Sequence, residues 1–381
     1  MHTHWIAQRL SAFDEINVGF RKIYELSHSI KDPINLLVGQ PDFDVPDPIK
    51  EAAIQAIRSG KNAYAPTQAL PELAEKIRAD LRRRWPQANR DVLVTGGTMG
   101  ALNLTLLALL NPGDEVILFD PCFLAYAPMI RLFGGVPVLV DTYPDFQVSL
   151  DRVEAAVTPR TKALLLCTPG NPTGVVQKRT HLKALAEYAY ERRIVLISDE
   201  IYAAFCFDEP FISAAEFNPD TIVVSSFSKT YGMTGWRLGY AHGPKELINA
   251  MVKVQIVTYV CAPTPAQYAA LTAWDYDVSH YNEAYRHKRD LILQNIDKRF
   301  GVVKPGGAFY YFIQTPWGTG QEFVEACHAR RLLVLPGHIF SQRDTHFRLS
   351  FAASDETLLK GIEILNDLAC HPPKPGSDPI S

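Results

Sequence analysis

Six short, nearly unbroken apolar runs, separated by stretches long enough for helices, constrain this chain more than any other feature. They are DVLVT (91–95), EVILF (115–119), VPVLV (136–140), ALLLC (163–167), IVLIS (194–198) and TIVVS (221–225). A strand with one face in water alternates apolar and polar residues. A strand covered on both faces does not, so runs of this kind point to a parallel sheet with helices on either side. The intervening segments supply the helices, over about 98–110, from near Cys122, and over about 178–192. Strand and helix in alternation predict an α/β fold, a three-layer large domain with a mostly parallel sheet over 48–275.

Beyond that the texture changes. A long polar helix over about 278–299 is followed by GGAFYYFI (306–313) as a strand, 321–331 as a helix, LLVLP and HFRLSF as strands, and DETLLKGIEILNDL as a closing helix. This describes a smaller α+β domain over 276–368. Residues 1–47 read as an N-terminal arm that packs with it, and the Pro-rich residues 369–381 as a disordered tail.

With 381 residues the chain can bury a large core without staples. A net charge of −3 gives no reason to expect nucleic acid or an anionic membrane as partner. No run reaches the ~20 apolar residues of a membrane helix, and MHTHWIAQRLSAF lacks the apolar core of a secretory signal. The six cysteines form no CxxC pair and sit mostly in apolar runs, as expected of free, buried thiols in the reducing cytoplasm. His2 and His4 belong to a frayed terminus, and no metal site is expected.

Ligands of open α/β sheets bind beyond the carboxyl ends of the strands. Five of these ends carry Gly96-Gly97-Thr98-Met99, Pro121-Cys122-Phe123, Asn171 within TPGNPTG, Asp199 to Tyr202, and Ser226-Phe227-Ser228-Lys229. A lysine that attacks a carbonyl must be partly neutral. Pyridoxal phosphate (PLP) is the cofactor that uses such a lysine as a Schiff base and serves as an electron sink. Lys229 is the candidate. Asp199 would keep the pyridine nitrogen protonated by charge pairing, and Tyr202 and Asn171 would meet the ring's phenolic oxygen. The Gly97–Met99 turn opens a helix and offers N–H groups and a dipole to the phosphate, which Ser226, Ser228 and Arg237 would also hold. Phe123 is placed to stack on the ring.

The segment SFSKTYGMTGWRLGY (226–240) resembles the lysine signature of class I/II aminotransferases, PLP enzymes of fold type I. NPTG (171–174), SDEIY (198–202), YAPTQALPEL (64–73), VGQPDFDVPDPI (38–49) and FRLSF (347–351) are similar to the family's other blocks, in its order. The resemblance implies that Arg348 binds the substrate α-carboxylate, helped by Asn171 and the Gly39 backbone. It also implies that Tyr64 reaches the phosphate of the neighbouring subunit's cofactor, which makes the enzyme a homodimer with active sites at the interface. It implies transamination between an amino acid and a 2-oxo acid in ping-pong order. In the aspartate-specific bacterial branch a lysine follows the Gly-Gly turn, and here Met99 stands there, which speaks against aspartate. Tyr126, Met99 and Tyr259 point to an apolar or aromatic donor. Two alternatives share the motifs: another PLP reaction on this scaffold (a β-lyase, an aminocyclopropane-carboxylate-type synthase or an oxidase), and an aminotransferase-like ligand sensor.

Overall fold

The structure, a computed structural model, describes residues 30–372 continuously and, before them, Trp5, Ala7, Arg9 and Leu10. Thirteen strands are described in this part of the chain. They are β1 (Ile34–Asn35), β2 (Arg90–Thr95), β3 (Glu115–Asp120), β4 (Val136–Asp141), β5 (Thr161–Cys167), β6 (Val195–Asp199), β7 (Ile222–Ser226), β8 (Gly239–Pro244), β9 (Gly301–Val302), β10 (Tyr310–Gln314), β11 (Leu332–Leu333), β12 (Leu335–Pro336) and β13 (His346–Ser350).

Seven strands form the large sheet, in the order β2-β8-β7-β6-β5-β3-β4. β8 is antiparallel to both of its neighbours, and the other pairings are parallel. Six strands therefore point the same way, and their carboxyl ends share one edge. The unbroken apolar runs are explained by their two destinations. Val116 and Leu118 of β3, with Ala163 and Leu165 of β5, pack beneath the helices Gly97–Leu109 and Lys245–Thr258. Ile117, Phe119, Leu164 and Leu166 pack on the opposite face with the helix Arg179–Arg192. Both pleats are buried, so no position is left for a polar residue.

The second body has a four-stranded antiparallel sheet in the order β12-β13-β10-β9. Its core is rich in aromatic rings, among them Phe309, Tyr310, Tyr311, Phe323, Phe347 and Phe351. β1 pairs in parallel with β11, so the start of the described chain is tied to its C-terminal third.

Several sequence expectations change. GYAHGP is a central strand, β8, although it has no apolar run. Its narrow residues are what the position demands, because a Cβ on Gly239 would meet the Gly97 backbone carbon at 2.6 Å. The helix expected from Cys122 begins at Tyr126, after a turn that carries Phe123. LLVLP splits into β11 and β12, which belong to different sheets. The closing helix runs Asp355–Cys370, so the chain stays helical past the expected start of the tail, and the rest of that tail, 373–381, lies outside the described residues. His2 and His4 also lie outside them. All six cysteines are unpaired, but Cys370 is exposed. Among the described residues no helix is long and apolar enough to cross a membrane, and no group of side chains is set to hold a metal.

Candidate active site

At the carboxyl edge of the large sheet lies a cavity of about 770 Å³. Five strand ends supply its walls: Thr98 and Met99 after β2, Phe123 and Tyr126 after β3, Asn171 after β5, Asp199 and Tyr202 at the end of β6, and Ser228 and Lys229 after β7. Arg237 enters from the connection to β8, and Arg348 and Tyr310 from the second body. Gly39 and its neighbours Leu37 and Val38 complete it.

Two ionisable groups are forced away from their ordinary behaviour. Burial raises the Asp199 carboxyl from 3.8 to about 6, against the hydrogen bonds that it accepts from Tyr126 Oη (2.7 Å) and Ile201 N (3.2 Å). Burial, with Arg348 and Arg237 nearby, lowers Lys229 from 10.5 to about 8. Its Nζ donates to Gly39 O at 2.6 Å. The structure thus holds a buried carboxylate and a buried amine in one cavity, each costly to keep charged and with no ion pair between them.

Arg348 lies at the centre of β13 and is buried. Nη1 donates to Asn171 Oδ1 (3.0 Å) and Nη2 to Leu37 O (2.9 Å), while Nε is buried without a partner. The guanidinium is sandwiched between the Tyr310 and Phe340 rings, 4.6 and 4.7 Å from their centroids. Asn171 has given its oxygen to Arg348 and keeps only amide N–H groups to offer.

The other polar corner is built around Gly97, which opens the helix Gly97–Leu109 at φ +76°. A Cβ there would strike the Arg237 guanidinium, so glycine is what lets that side chain lie against the helix N-terminus. Thr98 Oγ1 is buried with no partner. N-terminal N–H groups, a guanidinium and an orphaned hydroxyl make a site for an anion.

Some predicted residues sit differently. Ser226 does not line the cavity: its hydroxyl accepts from Ser228 N and caps the short helix Phe227–Thr230. Tyr126 lines the cavity as expected, but its hydroxyl is committed to Asp199. Tyr259 is outside it and braces the glycine turn, accepting from Gly96 N (3.2 Å) and donating to Gln255 Oε1 (2.7 Å). Met99 and Phe123 are at the wall. Tyr64 is 83% exposed and does not reach the cavity of its own chain. Tyr310 was not expected: in GGAFYYFI it is one aromatic among four, and only strand register distinguishes the ring that faces the cavity.

Residues 31–365 match the model of the family described as aminotransferase class I and II. A probable aspartate/prephenate aminotransferase from Thermus aquaticus is 40% identical over 358 residues, 89% of this chain and 92% of that one. Aromatic-amino-acid aminotransferase 2 of Thermococcus litoralis is 34% identical, over 90% and 93% of the two chains. The solved structure of aspartate aminotransferase from Thermus thermophilus with maleate superposes with a TM-score of 0.88 at 37% identity, covering 95% of this chain and 99% of that one. Sequence blocks, fold and cavity agree, and the chain belongs to the class I and II aminotransferase family.

Proposed function

We propose that this aminotransferase uses PLP in the cavity above and exchanges an amino group between an apolar or aromatic amino acid and a 2-oxo acid. The observation that carries the cofactor is a buried carboxylate without a cationic partner, Asp199, and a depressed lysine, Lys229, beside a corner of donors suited to an anion. A pyridinium nitrogen would satisfy Asp199. A phosphate would satisfy Thr98 Oγ1, Ser228, Arg237 and the free N–H groups at Gly97. Tyr202 and Asn171, both at the cavity wall, would donate to the phenolic oxygen, and Phe123 would cover the ring face. Bound there, PLP would supply a carbonyl for amine exchange and an electron sink for the substrate carbanion.

The chain's own residues do the rest. Arg348 takes the α-carboxylate with the N–H groups that the protein leaves unused, and the rings on both sides fix the plane of its fork. The Lys229 amine would take the α-proton of the bound amino acid on its Nζ. The amine needs its low pKa for this, because an ordinary lysine would be fully protonated at neutral pH. The reaction then divides into two half-reactions in ping-pong order, with the amino group kept by the enzyme between them.

The substrate reading rests on cations. Among the described residues Lys229, Arg237 and Arg348 are the positive side chains at the cavity wall, and each has a task. Leu37, Val38, Met99, Leu102, Leu124 and Leu335 make an apolar part of that wall, against which a second carboxylate would lose its water without gaining a charged partner. The names of several relatives favour aspartate instead, so the two readings are in direct opposition.

A homodimer belongs to the same proposal. Tyr64, Val257, Ile256 and Ile57 are at least half exposed. These are exposed apolar side chains that a second copy would cover.

The test uses purified protein with added PLP. A visible chromophore should form in wild type and be absent in Lys229→Ala, together with all transamination. A panel of amino donors with 2-oxoglutarate should then give kcat/KM at least about tenfold higher for an apolar or aromatic donor than for aspartate. Aspartate as the best donor would overturn the substrate assignment. Full turnover by Lys229→Ala would overturn the cofactor assignment.

A further inference from the structure

Tyr310 is the first residue of β10, in register with Ser350 of β13, and its ring leans into the cavity from the second body. Its hydroxyl is 2.9 Å from that of Tyr202, and both side chains are buried. The rings meet edge to face at 89° with centroids 5.7 Å apart, a geometry that leaves the hydroxyls little freedom. The backbone makes room for the contact: a Cβ on residue 39 would lie 2.5 Å from the Tyr310 oxygen, and Gly39 has none.

Which hydroxyl donates is set by the charge nearby. Burial raises both phenols, and the Arg348 guanidinium, lying over the Tyr310 ring 4.6 Å from its centroid, opposes that rise more strongly at Tyr310 than at Tyr202. The other groups facing the pair are the Cys167 thiol and, more distantly, Lys229 and Asp199 of the same cavity wall. Tyr310 is therefore the better donor, and Tyr202 accepts. A hydroxyl has one proton, so a Tyr202 that accepts from Tyr310 keeps its own proton for whatever lies on its cavity side.

We propose that Tyr310 is a positioning residue that aims the Tyr202 proton at the phenolic oxygen of the cofactor and strengthens that hydrogen bond. The inference rests on the PLP reading above and adds a residue to it. A donor on the phenolic oxygen favours the form in which that oxygen bears full negative charge, the form left once the proton on the Lys229 nitrogen has gone. Removing the donor makes that proton harder to lose.

The experiment is a pH titration of the visible absorbance of PLP-loaded protein, read without substrate. Tyr310→Phe keeps the ring against Arg348 and loses only the hydroxyl. Its titration midpoint should rise by about 0.5 pH unit or more relative to wild type. Tyr202→Phe should shift the midpoint further in the same direction. Tyr202→Phe/Tyr310→Phe should match Tyr202→Phe alone, because Tyr310 acts through Tyr202. A Tyr310→Phe midpoint identical to wild type, or one whose shift adds in full to that of Tyr202→Phe, overturns the proposal and leaves the PLP reading standing. A wild-type protein with no PLP chromophore overturns both.

Discussion

Replacing Asp199 by Asn should stabilise the protein when it is free of cofactor and destabilise it when PLP is bound. The reason is that the fold holds this carboxylate at a cost. Burial raises its pKa from 3.8 to about 6. A carboxyl with a raised folded-state pKa binds protons more readily folded than unfolded, so the penalty is absent below pH 3.8, grows as pH rises to about 6 and is constant above that. At about 1.36 kcal/mol per pH unit, it reaches about 3 kcal/mol at neutral pH. An asparagine is nearly the same shape and never ionises, but its one amide oxygen can accept from Tyr126 or from Ile201 N, not from both, which subtracts from the gain. The assay is denaturant unfolding of cofactor-free wild type and Asp199→Asn at equal protein concentration, at pH 7.5 and pH 5. The variant should be more stable at pH 7.5, by at most about 3 kcal/mol, and the advantage should shrink by about 1.4 kcal/mol on going to pH 5. With PLP added the order should reverse, because only the carboxylate pairs with a protonated ring nitrogen. A cofactor-free variant no more stable than wild type at pH 7.5 would refute the view that Asp199 is an unpaired buried charge waiting for a cation.

Arg348→Ala should raise KM for every amino donor by at least about 30-fold, because removing a buried charged hydrogen-bond partner typically costs about 2–5 kcal/mol. Steady-state kinetics with two unrelated donors decide it, and an unchanged KM would remove Arg348 as the carboxylate clamp. Gly239→Ala should lower both the melting temperature and the affinity for PLP, since the added methyl group would push on the Gly97 backbone at 2.6 Å and disturb the anion site from behind. Thermal melts and PLP titration check this, and a variant with both values unchanged would show that the turn has slack.

Much of the fold could be read along the chain because the parallel sheet writes itself in residues close in sequence. The middles of β3, β5 and β6 are covered on both faces, so residues 116–119, 163–166 and 195–197 are apolar throughout. Part of the candidate site was legible for the same reason: Thr98, Phe123, Asn171 and Lys229 follow their strands and Asp199 ends one, and a strand end is a local feature. β8 was not legible, since its composition answers to a neighbour rather than to its own burial. Gly239 is narrow because Gly97 is behind it, and those two residues are far apart in sequence.

The sequence by itself determined which chemical groups the chain has to offer and the order in which the strands present them: the lysine after β7, the carboxylate ending β6, the glycine turn after β2 and the arginine of β13. Only the tertiary structure decided their charge states and their partners. It buried Asp199 and gave its hydrogen bond to Tyr126, set the Lys229 amine on Gly39 O, turned the Ser226 hydroxyl into a helix cap, and brought Tyr310 to Tyr202. These contacts join residues from different strands and from both bodies of the fold. The free energy of a charge or a hydroxyl depends on what surrounds it in space, and no local pattern along the chain records that environment.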